Sequence, residues 1–137
     1  MSLPKIKLLM ILSLVLTFVS CQDLALEKQV VDRVYIIATD IPEDAMLSYK
    51  LKDGYKGFIE ETVFAAGYNK SFVFAKQHPK NERTIVNYFI FSLSNVNELS
   101  PELNLRGPFD STQFMRECGG LGITESILFQ TTINSLE

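Results

Sequence analysis

The chain has 137 residues with 13 Lys and Arg against 16 Asp and Glu, a net charge of −3, and it lacks Trp while holding ten Phe and five Tyr. Residues 1–20 contain Lys5 and Lys7 and no acid, so the remainder carries 11 basic against 16 acidic residues, a net −5. That balance excludes the clustered Lys and Arg that nucleic acid needs and a polybasic hold on anionic lipid, and the length limits the chain to one domain.

The amino terminus has the layout of an export signal. Lys5 and Lys7 form a short positive region, Leu8 to Val19 is an apolar run of 12 residues, and small Ser20 precedes Cys21. As a helix that run reaches only about 18 Å against roughly 30 Å of hydrocarbon, so cleavage is expected rather than a permanent span. Phe18 sits where ordinary signal peptidase wants a small residue. Phe18-Val19-Ser20-Cys21 instead resembles the bacterial lipobox, with Phe18 in place of the usual Leu. The resemblance implies diacylglycerol on the Cys21 sulfur, cleavage before it, and a further acyl chain such as palmitate on the freed amine. Two or three chains anchor far better than one, since each buried CH₂ contributes ~0.8 kcal/mol. The alternative is an ordinary secreted protein with a chance cysteine. Gln22 rather than Asp after the cysteine resembles the common sorting pattern for the outer membrane, where the host is Gram-negative. The expected division is therefore a lipoprotein signal peptide at 1–20, a lipidated tether at 21–29 and a single β-rich domain at 30–137.

Arg33 to Thr39 (RVYIIAT) is rich in β-branched and aromatic residues and predicts a first strand, stopped by the turn chemistry of Asp40-Ile41-Pro42-Glu43-Asp44. Ala45 to Leu51 and Tyr55 to Phe64 flank Lys52-Asp53-Gly54, a strong hairpin signal. Thr62 to Ala66 and Ser71 to Lys76 flank Gly67-Tyr68-Asn69-Lys70 and predict a second hairpin. Thr84 to Leu93 (TIVNYFIFSL) has two alternating faces that are both mostly apolar, the pattern of a central strand covered on each side. Ser94 to Arg106 reads as a loop closed by Gly107-Pro108. Asp110-Ser111-Thr112-Gln113 has capping-box spacing, so a helix starts there, with Phe114, Met115 and Cys118 on one face and Gly119-Gly120 as its terminator. Ile123 to Ile133 fits strand or helix; the alternation of Ile127, Phe129, Thr131 and Ile133 favours strand. The expected class is α+β, mainly β: an antiparallel meander of five or six strands packed against one C-terminal helix.

Asp32-Arg33-x-Tyr35, Leu47-Ser48-Tyr49, Val63 to Asn69, Ala75 to Pro79, Asn87 to Ile90, Gly107-Pro108 and Phe114 together resemble a family of small bacterial lipoproteins known only as a domain of unknown function. The likeness runs from Asp32 to Leu121 and implies an intact small domain, with no activity or catalytic residues to carry over.

The chemistry-bearing residues give little. His78 is the only histidine, so zinc would need carboxylate ligands almost alone, and it reads as a polar turn residue before Pro79. Cys118 falls at the carboxyl end of the expected helix, where the macrodipole raises a thiol pKa, and has no disulfide partner once Cys21 is lipidated. Glu60 and Glu61, adjacent on an expected strand, point to opposite faces and make no carboxylate pair. Gly119-Gly120-x-Gly122 follows a helix, whereas a phosphate cradle precedes one. No catalytic, metal or cofactor site is expected. Tyr35, Tyr49 and Tyr68 are the candidates for a partner surface, tyrosine being enriched at interfaces, although they equally suit the edge of a core with their hydroxyls in water. The functional expectation is a noncatalytic envelope binding module held to a membrane through acylated Cys21, meeting an envelope protein or ligand. The alternatives are a structural subunit of an envelope complex or an enzyme with a dispersed carboxylate and tyrosine site.

Overall fold

The computed structural model describes residues 23–137, so the expected signal peptide at 1–20 and Cys21 lie outside the described residues. Four strands, β1 (Leu26–Val31), β2 (Val34–Ala38), β3 (Met46–Leu51) and β4 (Gly54–Ile59), form one antiparallel sheet in chain order. Five more, β5 (Val63–Tyr68), β6 (Phe72–Gln77), β7 (Asn87–Ser92), β8 (Leu105–Phe109) and β9 (Thr131–Thr132), form a second sheet in the order β8-β7-β6-β5-β9. Among the described residues one α-helix, α1 (Ser111–Gly120), packs against β7 and β8. The class is α+β, mainly β, and all strand pairs are antiparallel.

The inner faces of the two sheets meet. Val34, Ile36 and Ala38 of β2, Leu47 and Ile59 come from the first sheet; Val63, Ala65, Val73, Ala75, Phe89 and Phe91 come from the second. Small Ala75 lies opposite large Phe89 across β6 and β7, which lets the layers interdigitate. Each wholly buried side chain of the size of Ile36, Leu47 or Phe91 contributes ~1.5–3 kcal/mol. The outer face of the second sheet is also apolar. Phe74 and Ile90 there pack against Phe114 and Cys118 of α1, with Ile123, Ile127 and Phe129 of the chain that follows. β7 is thus covered on both sides, as its two apolar faces predict.

Local signals act where expected. Asp53-Gly54 closes the β3–β4 hairpin, and the Asn69 side chain accepts from the amides of Ser71 and Phe72 to hold the β5–β6 turn. Asp110 and Gln113 form the reciprocal capping box. The terminator of α1 differs: Gly119 and Gly120 are helical, and Gly122 takes the left-handed turn at φ +75°. Ile123 N donates to Cys118 O at 3.0 Å and Gly122 N to Gly119 O at 3.1 Å, a Schellman pair.

Four elements depart from the sequence reading. First, β1 begins at Leu26, inside the expected tether at 21–29. LEKQVV is an edge strand with one buried side chain, Val30, so it lacks the apolar alternation that marks a strand. Second, the strand expected from Tyr55 to Phe64 divides at Glu60–Thr62, where the chain crosses between sheets. Backbone bonds pair Thr62 with His78 at 2.9 and 2.8 Å, Val63 N donates to Ala45 O at 2.8 Å, and Gln77 Nε2 holds Glu60 O at 2.8 Å. That corner turns one meander of five or six strands into two sheets with nine. Third, only Thr131–Thr132 of the segment 123–133 pairs as strand; the rest lies across the second sheet as its cover. Fourth, β8 occupies the end of the expected loop, starting at Leu105, and Pro108 is tolerated there because β8 is an edge strand.

The cover demands a glycine beneath it. A Cβ on Gly67 would stand 1.8 Å from Leu128 O, which is backbone and cannot swing aside. Gly67→Ala is expected to cost ~1–3 kcal/mol by overpacking, read as a lower denaturant midpoint, whereas Gly119→Ala, with open space around its Cβ, leaves the midpoint unchanged or raises it.

Candidate functional site

The first sheet has one face buried against the second sheet and one face free of it. Strand alternation and register put Glu27, Tyr35, Ile37, Met46, Ser48, Lys50, Tyr55 and Gly57 on that outer face, since Glu27 pairs with Ile37, Ile37 with Met46, Tyr35 with Ser48, Ser48 with Gly57 and Lys50 with Tyr55. The Tyr55 hydroxyl donates to Glu27 Oε1, joining β4 to β1 at opposite edges of the sheet. Three strand spacings of ~4.8 Å separate those edges on a flat sheet. Side chains that stand off the surface meet over such a span where the face is concave. The Tyr35 ring lies edge-on to Tyr55 with centroids 5.5 Å apart, and Lys50 Nζ sits 5.3 Å above the Tyr35 ring.

Beside this aromatic pair is a cleft of about 340 Å³. Its apolar surface is Ile37 and Met46; its polar groups are Thr39, Ser48 and Tyr55; its carboxylates are Asp44, from a 3-10 turn over Pro42–Asp44, and Glu61, from the corner between sheets. Gly57 keeps it open. A Cβ there would come within 2.6 Å of Met46 Cε, so any side chain displaces the methionine methyl. Ser48 is 3% exposed and lines the cleft. Asp44 and Glu61 take part in neither of the two ion pairs among the described residues, Arg33–Glu98 and Arg106–Glu117.

A second cleft of about 350 Å³ opens between α1 and residues 125–129, with Tyr88, Phe114, Ile127 and Phe129 in its wall. Lys76 Nζ lies 4.3 Å from the Phe129 centroid and 5.7 Å from that of Tyr88. Much of this wall belongs to the small core under the helix.

Of the three tyrosines singled out from sequence, only Tyr35 stands on the concave face. Tyr49 is one residue out of phase, packs against the main core and carries the Arg33 guanidinium 4.8 Å over its ring. Tyr68 is on β5 of the second sheet, where its amide and carbonyl bond the Gln130 side chain at 3.1 and 3.2 Å. The partner that Tyr35 does meet, Tyr55, is not one of those three. The Asp53-Gly54 turn held the signal, because it fixes Lys50 opposite Tyr55 and so puts Tyr49 and Tyr55 on opposite faces. Cys21 lies outside the described residues.

The remaining reactive groups are separated. His78 is buried rather than a polar turn residue: its ring stacks on Phe64 with centroids 4.1 Å apart, and Nδ1 bonds Ile85 O at 2.8 Å, while Nε2 has no partner among the described residues. Cys118 is buried under the helix, and burial followed by the Glu117 charge pushes its thiol pKa up, away from the thiolate. Glu61 borders the cleft and Glu60 holds Gln77 through its carbonyl, both in the corner rather than on a strand. No protein-family model, curated protein or solved structure matches the chain.

The hydrogen bond to Glu27, then burial, pushes the Tyr55 phenol up to about 12 from an ordinary 10.0. The folded chain therefore keeps this proton after the unfolded chain has begun to lose it. The contact's contribution to stability is complete below pH 10.0 and disappears as pH rises toward about 12. Denaturant midpoints measured from neutral pH upward should fall through this window in the native chain, and Tyr55→Phe should flatten the fall.

Proposed function

We propose that this chain is an exported bacterial lipoprotein, cut before Cys21, that serves as a noncatalytic binding module of the cell envelope. Phe18-Val19-Ser20-Cys21, placed after Lys5, Lys7 and the apolar run, carries the reading. The body suits it: β1 begins at Leu26, five residues past Cys21, so a lipid on that sulfur would hold the strand within roughly 18 Å of the anchor. Among the described residues no helix is long and apolar enough to cross a membrane; in this reading attachment comes from acyl chains.

Binding rather than catalysis is favoured by where the reactive groups sit. The His78 ring is stacked in the main core, and Cys118 is buried in the smaller core under the helix. The concave face instead offers aromatic, hydroxyl and carboxylate groups around an open cleft, the makings of a contact surface. The two apolar faces of β7, which a structural subunit would offer to a partner, are covered by this chain's own first sheet and helix, so they lend the structural-subunit alternative no support.

Mass spectrometry of the mature product from a bacterial envelope tests the proposal. The expected species starts at Cys21 and carries thioether-linked diacylglycerol and an amide-linked acyl chain. A free thiol at Cys21, or a product retaining residues 1–20, overturns it.

A further inference from the structure

We infer that the cleft between α1 and residues 125–129 binds a small monocarboxylate with an apolar body, a free fatty or aryl acid. The inference rests on the reading of this domain as a binding module and extends it to a second site, on the second sheet. Its starting point is a charge set in an apolar row. Along β6 the outer face carries Phe72, Phe74 and Lys76, and the pairing with β7 puts Phe74 opposite Ile90 and Lys76 opposite Tyr88. Phe74 and Ile90 are buried beneath the helix, whereas Lys76 is half-buried and lines the cleft. Its Nζ lies 4.3 Å from the Phe129 centroid and 5.7 Å from that of Tyr88, so two rings hold the ammonium in the wall. It belongs to neither ion pair among the described residues, Arg33–Glu98 or Arg106–Glu117. A cation partly withdrawn from water gains from an anion brought to it. A charge that breaks the pattern of an otherwise apolar, covered face is also where a functional position is expected.

The walls and charges narrow the ligand. Buried Phe114, with Tyr88, Ile127 and Phe129, gives apolar surface, and Met115, 63% exposed, stands at the rim. A cleft of about 350 Å³ is at the lower end of small-molecule pockets, which begin near ~300 Å³, and suits one ring or a short chain. The other charged group in the lining is Glu125. Asn69 Nδ2 donates to its Oε1 at 2.9 Å, and a backbone hydrogen bond, then that of Asn69, holds its carboxyl below the usual range, so it stays charged. One cation in a lining that also holds an acid matches a single negative charge and opposes a phosphate dianion. The backbone beneath disfavours a peptide. β6 and β7 are interior strands, each paired on both sides, so they leave a peptide main chain no edge to join, and its amides would leave water unpaired. A free acid has no polar group besides its carboxylate.

Amide NMR on the full chain in detergent micelles tests this with phenylacetate and hexanoate, each against its neutral amide, and with acetyl-glycyl-phenylalanine bearing a free carboxylate. The acids are expected to give saturable shifts at Lys76, Ser111 and Ile127 that the neutral amides do not, and added salt should weaken them. Lys76→Met should weaken the acids about tenfold and remove their advantage over the amides, while Lys76→Arg should keep that advantage. Amides of the first sheet report whether each variant folds. Met115→Glu, at the exposed rim, carries the test if Lys76→Met does not fold, by weakening the acids and sparing the neutral amides. Binding by one acid alone supports the assignment and fixes the body as ring or chain. Equal binding of acid and amide overturns the carboxylate, and tighter binding of the dipeptide than of phenylacetate overturns the free-acid source. Shifts confined to Thr39 and Gly57, in the other cleft, overturn this site and leave the module reading standing. No saturable shift with any probe overturns the inference, while an unmodified Cys21 bears on anchoring alone.

Discussion

The second sheet carries apolar side chains on both faces, so it needs two covers, and the rest of the chain is arranged to supply them. The first sheet covers one face through Ile36, Leu47 and Ile59 against Val73, Phe89 and Phe91. Helix α1 and the segment after it cover the other through Phe114, Cys118 and Ile127 against Phe74 and Ile90. The helix is ten residues long, which is marginal for an isolated helix in water. It is held by its capping box, its Schellman turn and the aromatic surface beneath it. Gly67 belongs to the same constraint, because the covering segment approaches so closely at Leu128 that the strand below can carry no side chain there.

Since the first sheet serves as a cover, its own outer face is left without one among the described residues. That is why the polar and aromatic groups collect there, and why a cleft lies over β2, β3 and β4 rather than between the two sheets. The Tyr55–Glu27 bond draws the two edge strands toward one another over this face. The same bond keeps the phenol protonated. Asp44 and Glu61 reach the cleft from two connections that the fold needs anyway, the turn after β2 and the corner that carries the chain from one sheet to the other. The site is thus assembled from the leftovers of the packing problem: one face that needed no apolar cover and two connections that had to run past it.

This division explains what could be read along the chain and what could not. Hairpins at Asp53-Gly54 and Asn69, the two-faced strand at Asn87–Ser92 and the capping box at Asp110 are local, decided by residues a few positions apart, and they appear as expected. The corner at Glu60–Thr62 has no Gly or Pro to announce it. It is fixed by bonds to Ala45, Gln77 and His78, which are far away in sequence. His78 reads as a turn residue because Pro79 follows it, yet stacking on Phe64 draws it inside. Residues 123–130 alternate like a strand but find no strand edge to pair with until Thr131 meets β5. The cleft was hidden for the same reason, since Tyr35 and Tyr55 become neighbours only when the hairpin register and the β2–β3 pairing are both known.

Connectivity then relates the cleft to the proposed anchor. Ala25 N donates to Thr39 O at 3.2 Å, and Thr39 is part of the cleft wall. Ala25 is four positions past Cys21, a reach of at most roughly 14 Å. On the proposed lipidation, the ends of β2 and β3 nearest the cleft therefore face the bilayer side of the molecule. The β1–β2 turn, with Arg33, Glu98 and the exposed Leu99 and Leu103, lies at the far end. In that geometry the carboxylates of Asp44 and Glu61 at the cleft repel anionic lipid head groups beside them.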